Sequence, residues 1–196
     1  LRQALAEGAP VLGACPYTDS DPLGHLDRIF ALAREFDVPI DMHLDFDLVP
    51  DAGMIEAVCA RTEAAGWGGR VTIGHVTRLS AMPPGQLSAI LRRMADAGVA
   101  LTALPATDLF LMGREASHLV PRGVAPMLAA RAAGVRCSLS TNNMLNPFTP
   151  MGDGSALRIA HLYAHVAQAG STEQLAGCFA MVAQEAEVVM GRPERR

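Results

Sequence analysis

Two hydrophobic periods alternate along the chain. Short, nearly continuous apolar runs occupy residues 10–14, 38–43, 70–75, 99–104 and 135–140. They recur about every 30 residues, the size of a βα unit. A continuous apolar run is what a strand buried on both faces presents. Each run follows a helix-like stretch and a turn that carries glycine or an acidic residue, such as Asp37, Gly66, Gly98 or Gly134. Glycine just past a helix takes up the left-handed conformation that stops it. Between the runs the apolar period is helical. Leu26, Ile29, Phe30, Leu32 and Ala33 share one face, as do Met54, Ile55, Val58 and Cys59, and Leu87, Ile90, Leu91 and Met94. A shorter helix is predicted over 126–133, with proline at its start. Longer ones are predicted over 155–169 and 172–190. Strand and helix in alternation predict an α/β fold with a parallel sheet and right-handed crossovers. Five such units fit either part of a (β/α)8 barrel or a small, doubly wound open sheet. No GxGxxG follows the first run, so a dinucleotide-binding version of the open sheet has no local support.

Composition narrows the function classes. The 196 residues suffice for one domain over 1–196; half are hydrophobic and 18% are charged. That is a globular composition. The net charge is −4 and there is no basic run, which argues against nucleic-acid binding, since phosphate contacts need clustered Lys and Arg. No stretch reaches the ~18–20 apolar residues of a membrane helix, and no signal-peptide layout is visible. Cys15, Cys59, Cys137 and Cys178 are widely spaced without CxxC. They read as small hydrophobes in a reducing cytoplasm. The chain opens at Leu1 in an amphipathic segment and reads as a piece of something longer.

In parallel α/β folds, ligands bind beyond the carboxyl ends of the strands. Those ends are polar here. The second run delivers His43, Asp45 and Asp47, the third His75, Thr77 and Arg78, the fourth Thr107 and Asp108, and the fifth Thr141, Asn142 and Asn143. One histidine at a strand end is commonly just hydrogen-bonded to a neighbour. Two in matched places on consecutive strands suggest a metal-ligand or acid–base pair. Asp45 and Asp47 are either solvated or helix-capping carboxylates, or a general base and an orienting partner for His43. Asp108 carries the same alternatives. His118 is expected on a surface loop. His161 and His165 are spaced i, i+4, which can bind metal, but a core helix face is the simpler expectation. Asparagines 142 and 143 can hold a substrate amide or carbonyl through paired donor and acceptor.

The segments Val11-Leu12-Gly13-Ala14-Cys15-Pro16, Ile40-Asp41-Met42-His43, Gly69-Arg70-Val71-Thr72-Ile73-Gly74-His75 and Asn146-Pro147-Phe148-Thr149-Pro150-Met151-Gly152 together resemble the cytosine deaminase branch of the amidohydrolase superfamily. The resemblance runs over nearly the whole chain. It implies a partial (β/α)8 barrel of the metal-dependent hydrolase type, with the five strands here as barrel strands four to eight. The first three, with a His-x-His pair, would precede Leu1. It further implies a zinc- or iron-dependent hydrolase acting on a C–N bond of a cyclic amide or amino-heterocycle. His43 would be the metal ligand. His75 would lie at the metal and contact substrate or the attacking water. The family's acid–base glutamate falls at Phe46 and its eighth-strand aspartate at Asn142. These departures leave two expectations open. One is a diverged enzyme, with catalytic roles for His75, Asp45 and Asn142 and substrate contacts from His75, Asn142 and Asn143. The other is a catalytically silent barrel that binds a small heterocycle or serves as an oligomer partner. In either case the expectation is a cytoplasmic homo-oligomer with a small-molecule ligand and neither nucleic acid nor membrane as partner.

Overall fold

The computed structural model describes residues 1–192. After α1 (Arg2–Ala6), five strands alternate with helices: β1 (Leu12–Ala14), α2 (Pro22–Phe36), β2 (Ile40–Leu44), α3 (Ile55–Ala65), β3 (Val71–His75), α4 (Pro84–Ala97), β4 (Val99–Ala103), α5 (Pro105–Leu111), α6 (Met127–Ala132) and β5 (Cys137–Leu139). Three helices follow: α7 (Ala156–Val166), α8 (Thr172–Ala180) and α9 (Gln184–Val189).

All strand pairs are parallel, and the order across the sheet is β1-β2-β3-β4-β5. This order decides between the two architectures. A doubly wound sheet reverses direction at a switch point, whereas sequential order with right-handed crossovers puts every helix on one face. The sheet is therefore an arc of a (β/α)8 barrel.

The core lies between the sheet and its helices. Ile40, Met42, Leu44, Val71, Ile73 and Leu101 meet Leu26, Ile29, Ile55, Val58, Leu91 and Met94, all nearly inaccessible to water. Each such side chain contributes about 1.5–3 kcal/mol by leaving water. The helix stops follow the sequence reading: Asp37, Gly66 and Gly98 cap α2, α3 and α4 in the left-handed region. Asp21 opens α2 by accepting from the Gly24 N–H, and Ser171 with Gln174 forms a capping box on α8.

The pattern misleads in three places. β2 alternates instead of being buried throughout: Ile40, Met42 and Leu44 enter the core, while Asp41 and His43 face the other, open side of the sheet. The helix predicted over 172–190 is two helices. Ala183 departs from helical geometry (φ −120°, ψ −114°), and just before it the Met181 carbonyl accepts a 2.9 Å bond from the Leu139 N–H on the outer edge of β5. That contact between distant segments outweighs the local apolar period. His161 and His165 are exposed rather than in the core, because α7 buries Ile159, Ala160, Tyr163 and Ala164 instead. His118 is exposed in a loop, as expected.

Candidate active site

The carboxyl ends of β2, β3, β4 and β5 bring four predicted residues to one place. In the β2–β3 register His43 lies opposite Gly74, and Leu44 opposite His75. Regular pleating would send His75 toward the helices with Leu44. Its backbone instead turns left-handed (φ 67°), as does that of Val76 (φ 46°). The His75 ring thereby comes beside that of His43, with 4.8 Å between centroids. Left-handed non-glycine residues cost about 1–2 kcal/mol each, and a β-branched one such as Val76 is unusual. Asp45 (φ 46°) and Asn142 (φ 58°) adopt the same region. Strain collected at strand ends is a common mark of functional sites.

His75 is 4% exposed and Asp108 not at all. Asp108 sits in the first turn of α5, which Pro105 starts. Its Oδ2 accepts from the Leu104 N–H at 3.3 Å, and its Oδ1 lies 2.6 Å from His75 Nδ1. Burial raises the Asp108 carboxyl above its ordinary pKa, against the opposing pull of His75. A carboxylate partner makes Nδ1 the donor, so that in the neutral ring Nε2 carries the lone pair. Nε2 faces the Asn142 amide nitrogen at 3.3 Å. The Phe46 ring stands edge-on to His75 at 5.0 Å. Partial desolvation of its ring, then the neighbouring His75, push the His43 imidazole below its usual pKa and favour the neutral form.

Asp45 and Asn143 lie differently from what the sequence suggests. Asp45 is 2% exposed, so it is not a solvated loop carboxylate, and its side-chain contacts are to Met54 and Arg78. Its Oδ2 accepts from the Met54 N–H at 3.1 Å and lies 3.5 Å from Arg78 Nε. Burial lifts its pKa to about 6, Arg78 opposing. The Arg78 guanidinium also pairs with Asp47 at 2.6 Å and with Asp51. Arg78 thus pins the loop between β2 and α3 with three carboxylates. Asn143 accepts at 2.8 Å from Asn146, whose own Oδ1 caps the Phe148 and Thr149 N–H groups. It lines a separate cleft of about 940 Å3 between α5, α7 and the loop after β5. The Asp108–His75 pair is the contact that sequence reasoning missed. An aspartate four residues past Leu104, where the fourth apolar run ends, and able to fold back on that residue's N–H, was the available signal.

The chain supplies two converging imidazoles, suited to zinc or iron. Among the described residues no group of three His, Cys, Asp or Glu side chains is placed to hold an ion. His43 and His75 therefore fit as members of a ligand set and do not form one alone, since catalytic zinc usually takes three protein ligands. Cys59, Cys137 and Cys178 are buried away from them in the core.

A family model described as the amidohydrolase family matches residues 3–196. Among curated proteins, the pterin deaminase of Rhizobium rhizogenes is 28% identical over 83% of this chain and 39% of its own length. Among solved structures, 5-methylcytosine deaminase from Klebsiella pneumoniae, liganded with 5-fluorocytosine, superposes with a TM-score of 0.90 at 22% identity. That match covers 97% of this chain and 47% of that one. N-isopropylammelide isopropylaminohydrolase from Burkholderia multivorans gives a TM-score of 0.83 at 30% identity, over 97% and 46%. The chain thus spans less than half the length of each of these proteins.

Proposed function

The chain belongs to the amidohydrolase family, and from that premise we propose that it builds the active-site half of a metal-dependent hydrolase. The reaction is hydrolysis of a C–N bond, not a peptide bond, in a cyclic amide or amino-substituted nitrogen heterocycle, as in cytosine deaminases. The observation that supports this reading is the pairing of His43 with His75 at the ends of adjacent parallel strands, with Asp108 fixing the tautomer of His75.

Members of the family typically use a divalent metal. Here His43 and His75 would hold it, together with ligands from outside this chain. The ion supplies Lewis-acid activation of water. The chain's own residues do the rest. Asp108 holds the imidazole of His75 in one orientation, with Nδ1 as donor and Nε2 turned to the site. Phe46 excludes water from one edge of that ring. Asn142 presents a carboxamide beside Nε2, able to pair with a substrate amide. Arg78 fixes Asp45 and with it the loop that follows His43. We place the protein in the cytoplasm as a homo-oligomer. The buried thiols support the first, and the outer edge of β1, which has no neighbouring strand among the described residues, supports the second. No helix among the described residues is long and apolar enough to cross a membrane.

One observation favours a second reading. Phe46 and Asn142 stand where the resemblance implies a glutamate and an aspartate, so a proton carrier and an anionic ligand are both replaced. A silent barrel that binds a heterocycle without turning it over would look like this. Metal analysis and amine release, measured on the completed barrel that contains this chain with cytosine-, pterin- and N-alkylammelide-type substrates, separate the two. The enzyme reading expects about one equivalent of zinc, iron or manganese, turnover that stops in chelator, and loss of both in His43→Ala. Less than about half an equivalent, with turnover unchanged in chelator, overturns the metal-dependent reading. A full complement of metal with no turnover on any of these substrates supports the silent barrel.

A further inference from the structure

A second constellation lies outside this site. His161 and His165 stand one turn apart on α7, both exposed, with ring centroids 4.5 Å apart and planes inclined by 59°. His165 Nδ1 lies 2.9 Å from the His161 backbone carbonyl. A carbonyl oxygen can only accept, so Nδ1 carries the proton. In the neutral ring the Nε2 lone pair of His165 is then free, and the bond orients the ring before any ligand arrives. This is the arrangement that second hydrogen bonds impose on metal-binding histidines. Residues i and i+4 project from the same helix face about 5–6 Å apart at Cβ, a spacing that lets two imidazoles reach one ion. The rings line the cleft between α5 and α7, whose walls all belong to this chain. The α5 wall turns Leu109 and Phe110 to this cleft and Asp108 to His75.

We propose that His161 and His165 chelate a divalent transition-metal ion at this cleft, separately from any metal at His43 and His75. Two neutral imidazoles select zinc, copper or nickel over magnesium or calcium, which prefer oxygen donors. Two protein ligands leave coordination positions open toward the cleft, so the ion exchanges with solvent and can take a further donor there. The two rings share one helix face, so the second imidazole binds at high effective concentration, and removing either one costs nearly the whole gain.

Calorimetric titration of the purified protein with Cu2+ and Zn2+, paired with Cu2+ electron paramagnetic resonance, tests this. His161→Ala, His165→Ala and the double variant change exposed positions, and unaltered thermal unfolding midpoints confirm that the fold is kept. The expected result is a binding event with a two-nitrogen spectrum that depends on His161 and His165, whether or not the pair at His43 and His75 also takes up metal. Affinity falls about 10-fold or more in either single variant and little further in the double. His43→Ala must leave this event in place, so it persists even if the barrel-mouth site proves to hold no metal. Unchanged stoichiometry and affinity in His161→Ala and His165→Ala would overturn the proposal. So would a spectrum showing a single nitrogen ligand in the wild type.

Discussion

Replacing Asp108 by Asn keeps the side chain's shape but not its two acceptors. One position must accept from His75 Nδ1 and the other from the Leu104 N–H, so the new NH2 faces a donor whichever way it turns. Leaving one buried donor unpaired costs about 1–3 kcal/mol. Urea unfolding of Asp108→Asn should show that loss. Metal retention or turnover should also fall by about 10- to 100-fold, the usual effect of removing a histidine's orienting partner. Arg78→Met acts differently. It strands the buried Asp45 carboxylate and releases Asp47 and Asp51. Breaking a buried pair by removing one partner costs about 3–5 kcal/mol. The loss at neutral pH should sit near the low end, because Asp45, already raised to about 6, can take up a proton. Unfolding midpoints of Arg78→Met and Arg78→Lys check this, with lysine recovering part of the loss. At this scale the sequence displayed the chemistry but not the partnerships. His43 and His75 were visible because each ends an apolar run. The Asp108 contact spans 33 positions and exists only because α5 turns back over β3. Likewise nothing in the spacing of Asp45 shows that it is sealed under Arg78.

At the scale of elements, the connections between helix and strand carry testable strain. The Cβ of an alanine at Gly98 would meet Gly68 Cα and Gly69 N at 3.0 Å, and the backbone there is left-handed (φ 70°). At Gly66 the backbone is similar (φ 66°), but nothing lies within 4 Å. Gly66→Ala should therefore cost about 1 kcal/mol, the left-handed penalty alone. Gly98→Ala should cost about 2–3 kcal/mol, because the α4–β4 turn must also move away from its neighbour. Thermal unfolding of the pair should rank them in that order; equal losses would remove the steric argument. The glycine stops and the helical periods were legible because both are local. The alternation of β2 was hidden because Asp41 and His43 sit among apolar residues in a short run. The break between α8 and α9 was hidden because it answers a hydrogen-bonding need of β5, whose Leu139 lies 42 positions before Met181.

For the whole molecule, the decisive fact is strand order. Five repeated units could be counted in the sequence, but not whether they curl one way or fold back. That depends on which strands pair, and pairing leaves no mark in an apolar run. Among the described residues the sequential order leaves the outer edge of β1 without a neighbouring strand, while the α8–α9 junction partly covers that of β5, and it exposes His43 on the inner face. Unpaired edges template association. The 196-residue chain expressed by itself should therefore sediment as dimers or larger species at micromolar concentration and show no amine release. A monomeric, active species would contradict the partial-barrel architecture.

The bond from the Leu139 N–H to the Met181 carbonyl gives this architecture a built-in clock. Ser140 donates inward to Ala103 and is protected by the sheet itself, whereas Leu139 donates outward to the α8–α9 junction. Deuterium would enter at Leu139 whenever the C-terminal helices lift, and at Ser140 only when β5 parts from β4. The ratio of those two exchange rates would measure how often the helical tail leaves the sheet while the barrel arc stays intact.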